Sequence, residues 1–200
     1  MEFYISQKDW KKVIDYAQES YNQFDSEIGG FMIAEETKDG DILISKPEIL
    51  KQEVTGSTTT MDRNAIADYY VKCAQKYGSK VRFVWWHSHA NMQAFWSGTD
   101  TSTMKEYSSG DWSAFLVVNI RGEYKFRICV WNPIKAHEDI DLNILGQKSK
   151  PIPKSIQNNV SKLCSKEETL SIQKYNNLRQ TNLYDRDDFG GYNYYWNNSG

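Results

Sequence analysis

The segment 81–89, VRFVWWHSH, constrains this chain more than any other. Its aromatic and β-branched side chains are those of a central strand. Side chains alternate along a strand, so His87 and His89 point to the same face. The fold must bury this strand and present two imidazoles together at its end.

Neighbouring segments indicate what surrounds the strand. Trp10, Val13, Ile14, Ala17 and Tyr21 recur at three- and four-residue steps, which predicts a helix over 7–20. Ser6 with Asp9 reads as an acidic variant of the capping box. Residues 27–34, EIGGFMIA, read as a buried strand, and 42–54 as one or two strands after a turn at Lys38-Asp39-Gly40-Asp41. A second helix is expected from Asp62 to Tyr77, with Ile66, Tyr70, Cys73 and Tyr77 on one face and Gly78 as its C-cap glycine. Residues 99–108 form a short helix with Thr99 or Asp100 near its start. Strands over 113–120 and 123–131 flank a tight turn at Arg121-Gly122. This order predicts an α/β fold with a mixed β-sheet sandwiched by helices, not a doubly wound parallel sheet.

The pattern weakens from Asn132. The expected organisation is a domain over 1–132, an extension over 133–183 that is helical from 153 to 180, and a disordered aromatic tail over 184–200.

Bulk composition excludes several classes. Hydrophobic residues at 40% and charged residues at 25% permit a packed core. Lys+Arg of 24 nearly cancels Asp+Glu of 26, and no basic stripe is present, so a nucleic-acid partner is not expected. Cys73, Cys129 and Cys164 are far apart and include no Cys-x-x-Cys pair, which argues against a disulfide framework or a thiolate zinc site. No apolar run is long enough for a signal peptide or membrane helix. The expected setting is cytoplasmic, with no membrane partner, and the Asn-x-Ser matches at Asn159 and Asn197 are chance.

The chemistry concentrates in His87-Ser88-His89, seven further residues, and Ser97-Gly98-Thr99-Asp100. Two imidazoles on one face chelate one metal, and Asp100 supplies a third, oxygen ligand. Two His and one carboxylate leave a tetrahedral position open for water, the pattern of catalytic rather than structural zinc. Zinc brings the pKa of bound water from about 15.7 toward roughly 7, and a nearby carboxylate then takes the proton. Glu27 is the candidate base, and Ser97 a candidate donor to the developing oxyanion. Each part has an ordinary explanation when taken singly. A His-x-His pair fits two partly exposed strand residues, and Ser97-x-x-Asp100 fits a turn or helix N-cap. A glutamate before a strand carries almost no information. Their joint occurrence points to a metal centre.

Glu27, His87-Ser88-His89 and Ser97-Gly98-Thr99-Asp100, with seven residues between the second His and the Ser, resemble the JAMM motif of the MPN/JAB metalloproteases. The order of elements over 1–132 is similar too. The resemblance implies the MPN/JAB (cytidine-deaminase-like) fold and a zinc-dependent, deubiquitinase-like isopeptidase. One Zn2+ per chain would sit on His87, His89 and Asp100, with Glu27 deprotonating the water and Ser97 stabilising the tetrahedral intermediate. The implied substrate is a ubiquitin-like protein or its conjugates, cut after a C-terminal glycine, or a sulfur-carrier protein. Ala90 replaces a proline that family members often carry after the second His. No long insertion precedes the metal strand or follows Asp100, as expected of a compact prokaryotic or viral type, placed in a bacterial cytoplasm or in the host's if phage-encoded. The alternatives are a non-catalytic MPN-like scaffold, or a metallopeptidase acting on a phage structural or cell-wall peptide. Oligomeric state stays open.

Other features read as structural. His137 stands in a solvated loop or helix start, and Cys73 and Cys129 fall in apolar patterns. Trp85, Trp86, Met92, Phe95 and Trp96 either wall a groove or pack. Asp185, Asp187 and Asp188 form a charged surface rather than a calcium loop. Tyr192, Tyr194, Tyr195 and Trp196 mark a disordered end or a docking segment.

Overall fold

A computed structural model of the protein describes residues 1–78, 81–146 and 152–166. In chain order the elements are β1 (Phe3–Ser6), α1 (Gln7–Phe24), β2 (Gly29–Glu36), β3 (Ile42–Ile49), β4 (Gln52–Val54), β5 (Thr59–Met61), α2 (Arg63–Tyr77) and β6 (Arg82–Ser88). There follow α3 (Gly98–Glu106), β7 (Trp112–Val118), β8 (Tyr124–Val130), β9 (Ala136–Ile140), β10 (Asn143–Leu145), α4 (Lys154–Leu163) and β11 (Cys164–Lys166).

The strand expected at the centre lies there. An eight-stranded sheet runs β10-β1-β3-β2-β6-β7-β8-β9, with β6 antiparallel to β2 and parallel to β7. The sheet is mixed, and helices cover both faces, so the α/β class holds. A smaller sheet runs β11-β4-β5. Alternation along β6 splits its two tryptophans. Trp86 packs with Trp10, Val13 and Tyr16 of α1 and with Ile156 and Val160 of α4. Trp85 packs with Tyr69 and Cys73 of α2 and with Met104 of α3 on the opposite face. Burying so many large apolar side chains stabilises the sheet by roughly 1.5–3 kcal/mol for each aliphatic or Phe residue fully removed from water.

Local signals explain the helix ends. Ser6 accepts from the Asp9 N–H at the start of α1, and Asp62 accepts from the Ala65 N–H at the start of α2. Gly78 follows α2 with φ +87°, a backbone that a glycine adopts without strain.

Four features depart from expectation. The first strand, β1, was not anticipated. It is four residues long and pairs parallel with both β3 and β10. The segment after residue 132 is not a separate extension as far as residue 166. It supplies β9 to the edge beside β8, β10 to the opposite edge beside β1, and α4 to the core under α1. All of this falls in one compact unit, Met1–Glu167. His137, expected in a loop or helix start, lies exposed in β9. β9 escaped notice because its side chains are mostly exposed and polar, and β10 because three residues are too few to show a pattern. Of the helix expected over 153–180, α4 ends at Leu163 and the chain continues into β11, while 167–180 lie outside the described residues. The tail over 184–200, with Asp185, Asp187, Asp188, Tyr192, Tyr194, Tyr195 and Trp196, lies outside the described residues. No described helix is long and apolar enough to cross a membrane.

One glycine is fixed by contact. A Cβ on Gly30 would lie 2.1 Å from the Glu48 carbonyl oxygen and 3.0 Å from Trp86 Nε1. Neither the backbone of β3 nor the buried indole has room to retreat. Gly30→Ala is expected to cost at least about 2 kcal/mol in urea denaturation, since overpacking here must push β2 and β3 apart.

Candidate metal centre

Three elements converge on one point. His87 lies near the end of β6 and His89 just beyond it, where the His89 N–H still donates to the Val118 carbonyl at 2.8 Å. The chain then turns at Ala90, whose φ is +45°. A proline, locked near −65°, has no access to that angle. This turn therefore excludes a proline at position 90.

Asp100 arrives from the start of α3. Ser97 is the N-cap, and its hydroxyl accepts from the Asp100 N–H at 3.1 Å. The Asp100 Oδ2 accepts in return from the Ser97 N–H at 2.7 Å. This reciprocal capping box fixes the carboxylate before any metal is considered. His87 Nε2 lies 3.0 Å from Asp100 Oδ1, and His89 Nε2 lies 3.4 Å from Asp100 Oδ2. One ligand atom from each of the three residues falls within 4.8 Å of the others, the only such group among the described residues. Ligand atoms on a tetrahedral sphere with bonds of about 2.1 Å sit roughly 3.4 Å apart.

The state of the imidazoles fits a metal. His87 is 1% exposed, and neither ring nitrogen makes a hydrogen bond. Its Nε2 is close to Asp100 but off the line of a hydrogen bond. A buried imidazole left this way is costly unless something else engages a nitrogen. His89 Nδ1 lies 3.2 Å from the Gln93 carbonyl, which places its proton there and frees Nε2 to face Asp100. Burial pushes the His87 imidazole below its ordinary value, against the pull of Asp100. Burial also opposes charge on His89, but the Asp100 and Glu27 carboxylates raise it on balance. For Asp100, burial favours the neutral acid, yet both imidazoles and the Ser97 N–H hold it well below the carboxylate range. The buried His-His-Asp group can therefore bind one metal ion.

Glu27 stands beside this group at the head of β2, where Gly29 pairs with His87. Two clamps keep it there. Ser88 points away from its neighbouring histidines, and its hydroxyl accepts from the Ile28 N–H at 3.0 Å. Gln52, buried in β4, accepts from the Gly29 N–H and donates to the Gly29 carbonyl, both at 2.9 Å. Gln52 also accepts from the Thr59 hydroxyl at 2.6 Å, which draws β5 to the site. Glu27, His87, Asp100 and Trp85 share one cavity of about 300 Å³ with Thr58, Thr59 and Thr60. Burial pushes the Glu27 carboxyl up to about 7, with the His89 imidazole opposing and Asp100 adding to the rise.

Sequence reasoning named Glu27, His87, His89 and Asp100, and the fold brings them together. Ser97 is half-buried and caps α3, and it is not among the residues lining the cavity. Ser88 and Gln52 were not singled out. Strand alternation could have placed Ser88 on the face opposite the histidines, but no local signal marks Gln52. Of the aromatics in question, Trp85 stacks on His87 with centroids 4.5 Å apart and walls the cavity. Phe95 stays half-exposed, edge-on to His89 at 4.6 Å. Comparison with family models and with curated proteins finds no match to this chain.

Two substitutions test these assignments. Ser97→Ala removes the cap of α3, and metal-free urea denaturation should register a loss of about 1 kcal/mol. Chelator competition should also register metal affinity weakened by roughly 10–100-fold, because Asp100 loses its support. Glu27→Gln tests the buried carboxyl. A group held at about 7 instead of 4.5 contributes stability in its neutral form, present below the ordinary value and lost as pH rises through 7. In the metal-free chain, the melting temperature of Glu27→Gln relative to wild type should therefore rise by a few degrees between pH 5 and pH 8. An unchanged difference would show that burial does not penalise the ionised carboxylate.

Proposed function

We propose that this chain is a zinc metallopeptidase of the JAMM type, with the MPN/JAB (cytidine-deaminase-like) fold. It hydrolyses the peptide or isopeptide bond that follows the C-terminal glycine of a ubiquitin-like protein. The observation that carries this reading is the convergence of three separate segments: Glu27, His87 and Asp100 line one cavity, and His89 completes the His-His-Asp group beside it. A scaffold without chemistry has no use for a buried carboxyl held near neutrality beside such a group.

His87, His89 and Asp100 would hold the zinc, which when bound supplies an acidified water and polarises the carbonyl under attack. The chain's own residues do the rest. Glu27, whose carboxyl is raised by burial in the metal-free chain, takes the proton of the attacking water and returns it to the leaving amine. Ser97 lies outside the cavity lining, so its part is to hold the Asp100 carboxylate through the capping box and not to donate to the oxyanion. Trp85 closes the cavity against bulk water on one side. Among the described residues β5 pairs with β4 alone, which leaves its other edge without a strand partner there, and Thr58 to Thr60 line the cavity. An extended substrate tail adds to this edge through main-chain hydrogen bonds. Small glycines at the cleaved end suit the passage between the threonines and Trp85.

The decisive experiment incubates the metal-loaded chain with ubiquitin-like proteins and their conjugates, reads intact mass, and includes a chelator control. Cleavage after a terminal glycine supports the reading. Cleavage only of unrelated peptides, such as phage structural or cell-wall peptides, moves the substrate assignment. Elemental analysis should give about one zinc per chain, and none after metal-replete purification would favour the scaffold. Glu27→Gln should keep the zinc and lose turnover by about 10²–10⁴-fold, while His89→Ala should lose both. Near-normal turnover by Glu27→Gln would remove Glu27 from the mechanism.

A further inference from the structure

The loop after His89 is exposed from Asn91 to Gln93, so apolar packing does little to hold it. Yet the Gln93 carbonyl of this loop sets the His89 ring, at 3.2 Å from Nδ1. Apart from a bond from Asn91 Nδ2 to the Tyr21 hydroxyl at 3.1 Å, what holds the loop is the turn between β7 and β8. The Ile120 N–H donates to the Ala90 carbonyl at 3.0 Å. The Asn119 Nδ2 donates to the Met92 carbonyl at 2.8 Å, and Arg121 Nη1 donates to the Asn91 carbonyl at 2.6 Å.

Asn119 is the buried member of this grip, at 0% exposure. Its Oδ1 accepts from the backbone N–H groups of Arg121 and Glu123, each at 3.0 Å. Two backbone donors on Oδ1 fix the amide orientation, so the NH2 group must face Met92. Its second donor bond goes to Glu123 Oε2 at 2.7 Å. Every hydrogen-bonding position of the side chain is in use, and the amide cannot rotate without stranding a buried polar group. Asn119 also follows Val118, whose carbonyl accepts from the His89 N–H. One strand end thus holds both the main chain of His89 and the loop that orients its ring.

We propose that Asn119 is a positioning residue for His89: by gripping the Met92 carbonyl it fixes the adjoining Gln93 carbonyl, which keeps the proton on Nδ1 and turns Nε2 to the metal. Arg121 reinforces the grip from the surface. The inference rests on reading His87, His89 and Asp100 as a metal centre. No chemistry is assigned to Asn119 itself, and outer partners of this kind change metal affinity by about 10–100-fold.

The test uses the full chain with Asn119→Ala and, because that buried change can unsettle the fold, the exposed Arg121→Ala as a second variant. Cobalt(II) serves as the probe. Its affinity is read by chelator competition and its geometry by visible absorption, while ¹⁵N-detected imidazole resonances of the metal-free chain report the His89 tautomer. Asn119→Ala is expected to weaken cobalt binding by about 10-fold or more, alter the visible spectrum and mix the His89 tautomers. Arg121→Ala is expected to move the same readouts in the same direction by less. A lowered melting temperature with cobalt affinity, spectrum and tautomer unchanged in both variants would overturn the inference and leave the metal centre standing. Failure of the wild-type chain to bind cobalt or zinc would overturn both.

Discussion

Backbone pairing between β2 and β6 is the constraint on which the rest depends. It sets Gly29 opposite His87 and Gly30 opposite Trp86. Strand pairing has a period of two, so a slip of one residue would send the histidines to the α1 face and Trp86 to the cavity. The register is pinned from both sides. Trp86 fills the core under α1, and Gly30 admits the close approach of β3 that a side chain would block. Glu27 has its place because the strand behind it cannot move.

The site is thereby assembled from rigid parts. Its ligands come from the end of a central strand and the first turn of a helix, and its carboxyl from the head of the neighbouring strand. Hydrogen bonds from Ser88 and Gln52 tie that head to the metal strand and to the small sheet. Such support holds the His-His-Asp group and the neighbouring carboxyl in a fixed geometry without relying on mobile loops. The exception is the loop after His89, which is exposed and needs a polar grip from the next hairpin.

Much of this was legible in the residues. Alternation along VRFVWWHSH put both histidines on one face, and Ser97-x-x-Asp100 was readable as a turn or helix N-cap, which the structure completes as a capping box. Apolar periodicity marked α1 and α2 to within a few residues. Glu27 was different: nothing local distinguishes it, and only long-range register brings it to the histidines. β9 was illegible for a physical reason, since an edge strand of exposed polar side chains has no burial pattern to read. The division at residue 132 failed with it. The sheet continues through backbone pairing where apolar patterning has stopped.

Asp100 has two employments at once. Its backbone N–H and one carboxylate oxygen complete the cap of α3, while the carboxylate also faces both imidazoles. Cation binding and the integrity of that first helical turn are consequently linked quantities. A bound ion would tighten the amides of Ser97 and Asp100 against exchange with solvent, and fraying of the turn would loosen the ion in equal measure. Affinity at this centre is partly stored as helix stability, so substitutions that merely strengthen or weaken the turn would retune occupancy without touching a ligand.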